Sequence, residues 1–284
     1  MAIAIRDERD EACFGLAVGS EPARSIHAVA DPATEAQAAH RPSLAQRCGR
    51  GAKLGFDVLV AGALLLVMLP VLLLVVVLIQ IESPGSPFYR ARRVGYRGRP
   101  LDVLKFRKMA LDAKGLPLTL AGDVRLTRIG AFMARTRIDE LPQLWNVVRG
   151  QMSLVGPRPE DARFVALHAD SYEEILSVRP GITGWSQLAF AAESRILDQG
   201  DPVAHYVDSI LPAKVGLDCK YAEHRGMRTD VATMAWTAVA MLSRIEVAVH
   251  RESGRLGRRR RKQALKLADQ SGHATPECAS HAAS

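Results

Sequence analysis

No CxxC pair occurs in the 284 residues, and the four cysteines, Cys13, Cys48, Cys219 and Cys278, are far apart. That scatter offers neither a disulfide framework nor a structural zinc site, and it fits a reducing compartment. HExxH, Walker-loop and GxGxxG patterns are missing too, which removes the zinc-peptidase, P-loop and dinucleotide-binding readings that those motifs carry. Nor is there an internal repeat. What the chain does have is an excess of base, 38 Lys and Arg against 30 Asp and Glu, for a formal net charge of +8. An anionic partner follows: lipid headgroups, nucleotide phosphates or nucleic acid.

Hydropathy divides the chain into four parts. Residues 1–46 are rich in Ala, Ser, Pro and Glu without a helical or strand period, and they read as a disordered leader. From Val58 to Ile81 no charged residue occurs, and the run is too long and too late for a cleaved signal peptide. With its basic flank it makes 47–82 a membrane segment. A straight helix of that run rises about 36 Å, more than the roughly 30 Å of a hydrocarbon core. Pro70 near its middle removes a backbone donor and predicts a bend. Arg47, Arg50 and Lys53 precede the run, and Arg90, Arg92, Arg93, Arg97 and Arg99 follow it, so each flank prefers the cytoplasm. Two forms stay open, a spanning helix that tolerates its proline and a re-entrant helix that dips into one leaflet and returns.

Residues 83–249 have the composition of a soluble domain and form the catalytic candidate. "PFYRARRVGYRGRPLDVLKFRKM" reads as short strands broken by Gly and Pro. "TRIGAFMAR", "PQLWNVVRG", "PEDARFVALHA" and "AKVGLDCKYAEHR" read as short helices, and "DVATMAWTAVAMLSRI" as a more apolar one for the membrane interface or the core. The segment 250–284 carries "GRLGRRRRKQ" and reads as a basic disordered tail that binds anionic lipid; a nucleic-acid partner is not expected.

Within the central domain, "TRIDELPQLWNV" places Asp139 and Glu140 just before a helix expected to begin at Pro142 and stop at Gly150. Neighbouring side chains in a turn-like backbone diverge by roughly 100°, so the pair does not suit a shared proton. Two readings stand. One carboxylate attacks phosphorus while the other holds a divalent cation, or Asp139 caps the helix and Glu140 pairs with Arg135 or Arg137. Gly156, Pro157, Arg158 and Pro159 form a stiff loop presenting an always-charged arginine, suited to a diphosphate. Lys105, Arg107 and Lys108 add cations, or else mark a solvated strand edge. Pro180 and Gly181 suit a type II turn, with Trp185 packed in the core beneath it.

In this order, "KLGFD", a proline inside the apolar run, "LKFRKM", "RIDELPQLWNVVRGQMSLVGPRP" and "RPGITGWSQ" resemble the bacterial sugar transferase family, the monotopic polyprenyl-phosphate phosphoglycosyl transferases, over residues 53–242. The resemblance implies a mixed, mainly α fold with short β segments. It comprises a re-entrant membrane helix bent at Pro70, interfacial amphipathic helices and a small catalytic domain on the cytoplasmic face of the bacterial inner membrane. It also implies that Asp139 attacks the β-phosphate of a nucleoside-diphosphate sugar, a UDP-sugar for preference, and that polyprenyl phosphate then collects the sugar phosphate. Lipid-linked glycan synthesis for exopolysaccharide, capsule or O-antigen would begin there. Glu140 would bind Mg²⁺, and the substrate phosphates would be held among Lys105, Arg107, Arg135, Arg137, Pro157, Arg158, Pro159 and Arg179. The chain departs from the family pattern at Leu69, where a serine commonly precedes the membrane proline, at Ala134, where an arginine is frequent, and in "LAFAAES" after "GWSQ". No further membrane helix is read, which favours the small monotopic form. Two other classes remain in view, a membrane-anchored Mg²⁺-dependent phosphohydrolase and a non-catalytic membrane scaffold docked through its basic tail.

Overall fold

The computed structural model describes residues 44–111, 113, 118–120, 122–193, 197, 201–243, 245, 247–250, 254 and 256–258. Most of the expected leader and most of the expected basic tail lie outside the described residues.

A 39-residue helix, α1 (Leu44–Glu82), opens the described chain. Leu and Ala favour helix and no glycine follows Gly62, and Pro70 is carried inside one continuous helix. Its Gly51–Glu82 part is the one helix among the described residues long and apolar enough to cross a membrane. Only 11% of its most apolar window is buried, which excludes the core helix of a soluble protein.

One face of α1 nevertheless docks on the rest of the chain. Midway along it Val60, Ala61 and Leu65 join a core with Leu144, Val147, Met152 and Leu154; toward its end Leu72, Val75 and Ile79 close over Phe106 and Met133. Each such aliphatic side chain, once buried, contributes roughly 1.5–3 kcal/mol. Between these contacts Leu66, Val67, Leu69, Leu73 and Leu74 stay exposed.

A hairpin follows, β1 (Phe88–Val94) against β2 (Pro100–Phe106), in antiparallel register from Phe88 opposite Phe106 to Val94 opposite Pro100. Leu101 and Val103 alternate inward along β2, with Pro100 and Asp102 outward, which is the period expected of a strand covered on one side. Next come α2 (Arg128–Thr136), a 3-10 turn (Ile138–Glu140), α3 (Gln143–Val148) and β3 (Ser153–Val155). Helices α4 (Ala162–Ala166) and α5 (Ala169–Ile175) lead to β4 (Gly181–Thr183), which pairs in parallel with β3. Then follow α6 (Trp185–Ala189), α7 (Pro202–His205), a π-helical turn (Tyr206–Ile210), α8 (Leu211–His224) and α9 (Met227–Ser243). The fold is thus mainly helical with short strands. Trp185 is buried edge-on against Tyr221 with ring centroids 5.8 Å apart, in the core as expected.

Two expectations are corrected. Gly181 does not adopt the left-handed backbone of a type II turn; it begins β4. Glycine is needed there for closeness, because a Cβ on Gly181 would sit 2.1 Å from the Gly156 nitrogen, and one on Gly184 2.2 Å from the Gly156 oxygen. The second concerns the beginning of the supposed tail. Leu256–Arg258 forms β6, antiparallel to β5 (Val247–Val249), and Gly254 between them lies on the Trp185 indole. Three-residue strands carry too few positions for a period of two to register, so composition dominated the reading.

Candidate active site

Two turns of the chain bring the acidic pair over the end of β2. Thr127 starts α2 by accepting from the Gly130 N–H at 2.9 Å. Arg137 ends α2 in the left-handed region, φ 60°, a conformation that costs a non-glycine residue roughly 1–2 kcal/mol and reverses the chain. The 3-10 turn then holds Asp139 and Glu140, with Pro142 capping the six-residue α3 and Gly150, φ 69°, ending it as expected.

The two carboxylates meet different cations. Glu140 Oε1 accepts from Lys105 Nζ and from Arg158 NH2, each at 3.3 Å. Asp139 Oδ2 lies 3.7 Å from Lys108 Nζ, while its Oδ1 is buried with no hydrogen-bond partner among the described residues. Asp139 is only 3% exposed. Burial pushes its carboxyl above the ordinary range against the pull of Lys108, and the neighbouring Glu140 charge adds to the rise. Burial opposes ionisation of Glu140 as well, but Lys105, Arg158 and Arg137 together hold that carboxyl far below its usual range. Lys105 is lowered by its own burial, offset in part by Glu140, and Arg158 is raised, because the carboxylates of Glu140 and Glu160 outweigh its desolvation.

The 157–159 loop delivers Arg158 as its prolines predict, from the end of β3 pressed against β4 by Gly156 and Gly181. Behind it lies a buried polar group. Glu160 Oε1 accepts from Tyr206 OH at 2.9 Å and from Lys214 Nζ at 3.0 Å, and Lys214 also reaches Glu193 at 3.2 Å. Asp218, one turn after Lys214 on α8, is buried with no hydrogen-bond partner for its Oδ1 among the described residues; burial raises its carboxyl to about 7 against the pull of Lys214. Sequence reasoning missed Glu160, Lys214 and Asp218. The available signal was Lys214 and Asp218 four apart on the buried stripe of a helix, beside Leu211, Val215 and Cys219.

Of the residues assigned to phosphate, Lys105, Arg158 and its flanking Pro157 and Pro159 are brought to the pair, and Arg137 acts on it by charge while donating to the Ala191 carbonyl at 2.8 Å. Three are not. Arg107 donates to the Ser83 carbonyl just past the end of α1. Arg179 donates to the Gly150 carbonyl at 3.0 Å and stacks over Tyr96, securing the helix stop and the hairpin turn. Arg135 is exposed on the last turn of α2, outside the charges that act most on either carboxylate. Lys108 takes a place in the site instead.

The profile of the bacterial sugar transferase family matches residues 48–244. An exopolysaccharide production protein, PSS, of Rhizobium leguminosarum bv. phaseoli is 40% identical over 148 residues, 48% of this chain and 72% of the relative. A UDP-glucose:undecaprenyl-phosphate glucose-1-phosphate transferase of Xanthomonas campestris pv. campestris is 34% identical over 197 residues, 66% of this chain and 38% of the relative. A UDP-N-acetylgalactosamine-undecaprenyl-phosphate N-acetylgalactosaminephosphotransferase of Aeromonas hydrophila is 39% identical over 153 residues, 50% of this chain and 35% of the relative. The chain spans little more than a third of the length of these last two relatives. The family profile takes in α1, the acidic pair and the Arg158 loop alike, and the chain belongs to the bacterial sugar transferase family.

Proposed function

We propose that this protein transfers a sugar phosphate from a UDP-sugar to undecaprenyl phosphate at a membrane surface, beginning a lipid-linked glycan. One observation carries the reading. A buried carboxylate with an unpartnered oxygen, Asp139, stands within a cluster of Lys105, Lys108, Arg137 and Arg158, in a unit that packs on one face of a long helix whose other face is apolar and exposed. The relatives from Xanthomonas campestris and Aeromonas hydrophila are named for a UDP-sugar and undecaprenyl phosphate, which fits one water-soluble and one bilayer-bound substrate.

In this mechanism an Asp139 oxygen attacks the β-phosphorus, forming an O–P bond. The bond from that phosphorus to the bridging oxygen breaks, and nucleoside monophosphate leaves with the electron pair. An oxygen of undecaprenyl phosphate then attacks the same phosphorus, and the Asp139 carboxylate is released unchanged. A carboxylate that burial makes more basic is a stronger nucleophile once ionised, and its unpartnered oxygen needs no bond broken before it attacks. Lys105 and Arg158 would move from Glu140 onto the donor phosphates, whose charge they match.

The donor set also suits Mg²⁺ held by few protein oxygens. No group of three or more metal-ligating side chains occurs among the described residues, but the Asp139 Oδ1 is unpartnered, and the cations on Glu140 approach Oε1 alone. Glu140, with substrate phosphate, would hold the ion, which supplies neutralisation of phosphate charge.

The docking of α1 supports the re-entrant form. A helix that crossed a bilayer would carry its ends to opposite faces, whereas α1 packs on the same unit from Val60 to Ile79. A bend at Pro70 would let the exposed apolar face around it enter one leaflet, with the catalytic unit on the cytoplasmic face and the basic residues that flank the run toward anionic headgroups.

The test uses the purified full chain, undecaprenyl phosphate and a panel of nucleotide sugars. Release of nucleoside monophosphate with a lipid-linked product is expected, and intact mass spectrometry with acceptor withheld should show the chain carrying a sugar phosphate. Free sugar phosphate without lipid product would assign a hydrolase instead.

A further inference from the structure

At the start of α1 lies a polar cluster that the chemistry above does not use. Lys53 Nζ donates to Asp230 Oδ2 at 2.6 Å and lies 3.5 Å from Asp57 Oδ2. The Ser153 hydroxyl donates to the same Asp57 oxygen at 2.6 Å, and Tyr221 OH donates to Asp230 Oδ1 at 2.6 Å while lying 3.0 Å from the Val155 carbonyl. Asp57, Ser153, Tyr221 and Asp230 are all buried, and Lys53 is three-quarters covered. Four elements meet here: α1, β3, α8 and α9.

Burying two carboxylates against a single lysine is costly unless each is well hydrogen-bonded, and each is. An apolar contact would have joined these elements at less cost, but it would slide. Charged and directional bonds instead fix one register between the helix and β3. Strand β3, α8 and α9 belong to the unit that carries the site, so bonds from Lys53 and Asp57 to Ser153 and Asp230 fix how that unit as a whole stands on α1.

We infer that Lys53, Asp57, Ser153, Tyr221 and Asp230 are positioning residues that set the height of the Asp139 and Arg158 site above the bilayer, and so govern transfer to the lipid acceptor rather than attack on the donor. The inference rests on the transferase reading. Nucleotide sugar reaches Asp139 by diffusion from water at any height. The phosphate of undecaprenyl phosphate is confined to the headgroup plane, and only a site held at that plane can meet it.

The two half-reactions separate the roles. Variants are Ser153→Ala, which removes one hydroxyl, and Lys53→Met combined with Asp230→Asn, which leaves the charge balance of the cluster unchanged. Each is assayed in phosphatidylglycerol vesicles with a nucleotide sugar that the unaltered chain accepts. The burst of nucleoside monophosphate without acceptor is expected to stay within about twofold, while formation of lipid-linked product falls by about tenfold or more. Spin labels at the exposed Leu59 and Arg92 should give a broadened distance distribution in the same variants. Parallel loss of both half-reactions, or loss of neither, would overturn the inference. If the unaltered chain releases no nucleotide from any donor, the transferase reading falls by itself. The label distances then decide the attachment, and an unchanged distribution rejects it.

Discussion

Asp139 and Glu140 are adjacent in sequence and opposite in electrostatics, and position alone produces the difference. One is buried with a single lysine at 3.7 Å; the other is gripped by a lysine and an arginine. Asp139→Asn keeps the volume and removes the nucleophile, so lipid-linked product should fall at least about a thousandfold with folding intact, and full turnover would reject the role. Asp218 gives a prediction in pH. Its carboxyl is raised from 3.8 to about 7, so the folded protein holds a proton that the unfolded chain releases. The stability it contributes is present below pH about 4 and is lost as pH rises through about 7. Thermal unfolding of the unaltered chain and of Asp218→Asn should therefore diverge across that window, the former losing more with rising pH. The acidic pair was legible because two carboxylates before a proline are a local pattern. Arg107 and Arg179 were not, since sequence records a charge but not the direction of its side chain.

Among elements, the Arg158 loop depends on a place where two strands touch without side chains. A Cβ on Gly156 would come within 2.4 Å of the Arg179 carbonyl, which is backbone and cannot swing aside. Gly156→Ala should separate β3 from β4, destabilise the fold by about 1–3 kcal/mol, and raise the KM for nucleotide sugar more than it lowers kcat. Circular dichroism melting with donor titration checks both. The longer elements, α1, α2, α8 and α9, stand where their apolar periods put them. The glycine contact was misread as a turn because Pro-Gly is a strong turn signal, and close approach between distant strands leaves no trace in either local segment.

For the molecule as a whole, hydropathy exposed the long apolar helix but not the docking of one of its faces. Leu and Val facing lipid look the same in sequence as those facing protein. Single cysteines placed on either side of the apolar run in a cysteine-free background should both react from the cytoplasmic face; labelling of one end only from the periplasm would exclude the re-entrant form. The hairpin of β5 and β6 adds an order of events. Trp185 is synthesised long before Gly254, the residue whose missing side chain leaves room for its indole. The emerging chain must therefore wait with one side of that ring uncovered until the ribosome has released β6, so a stop codon placed before Gly254 should shift Trp185 emission to longer wavelength in a Trp145→Phe, Trp236→Phe background.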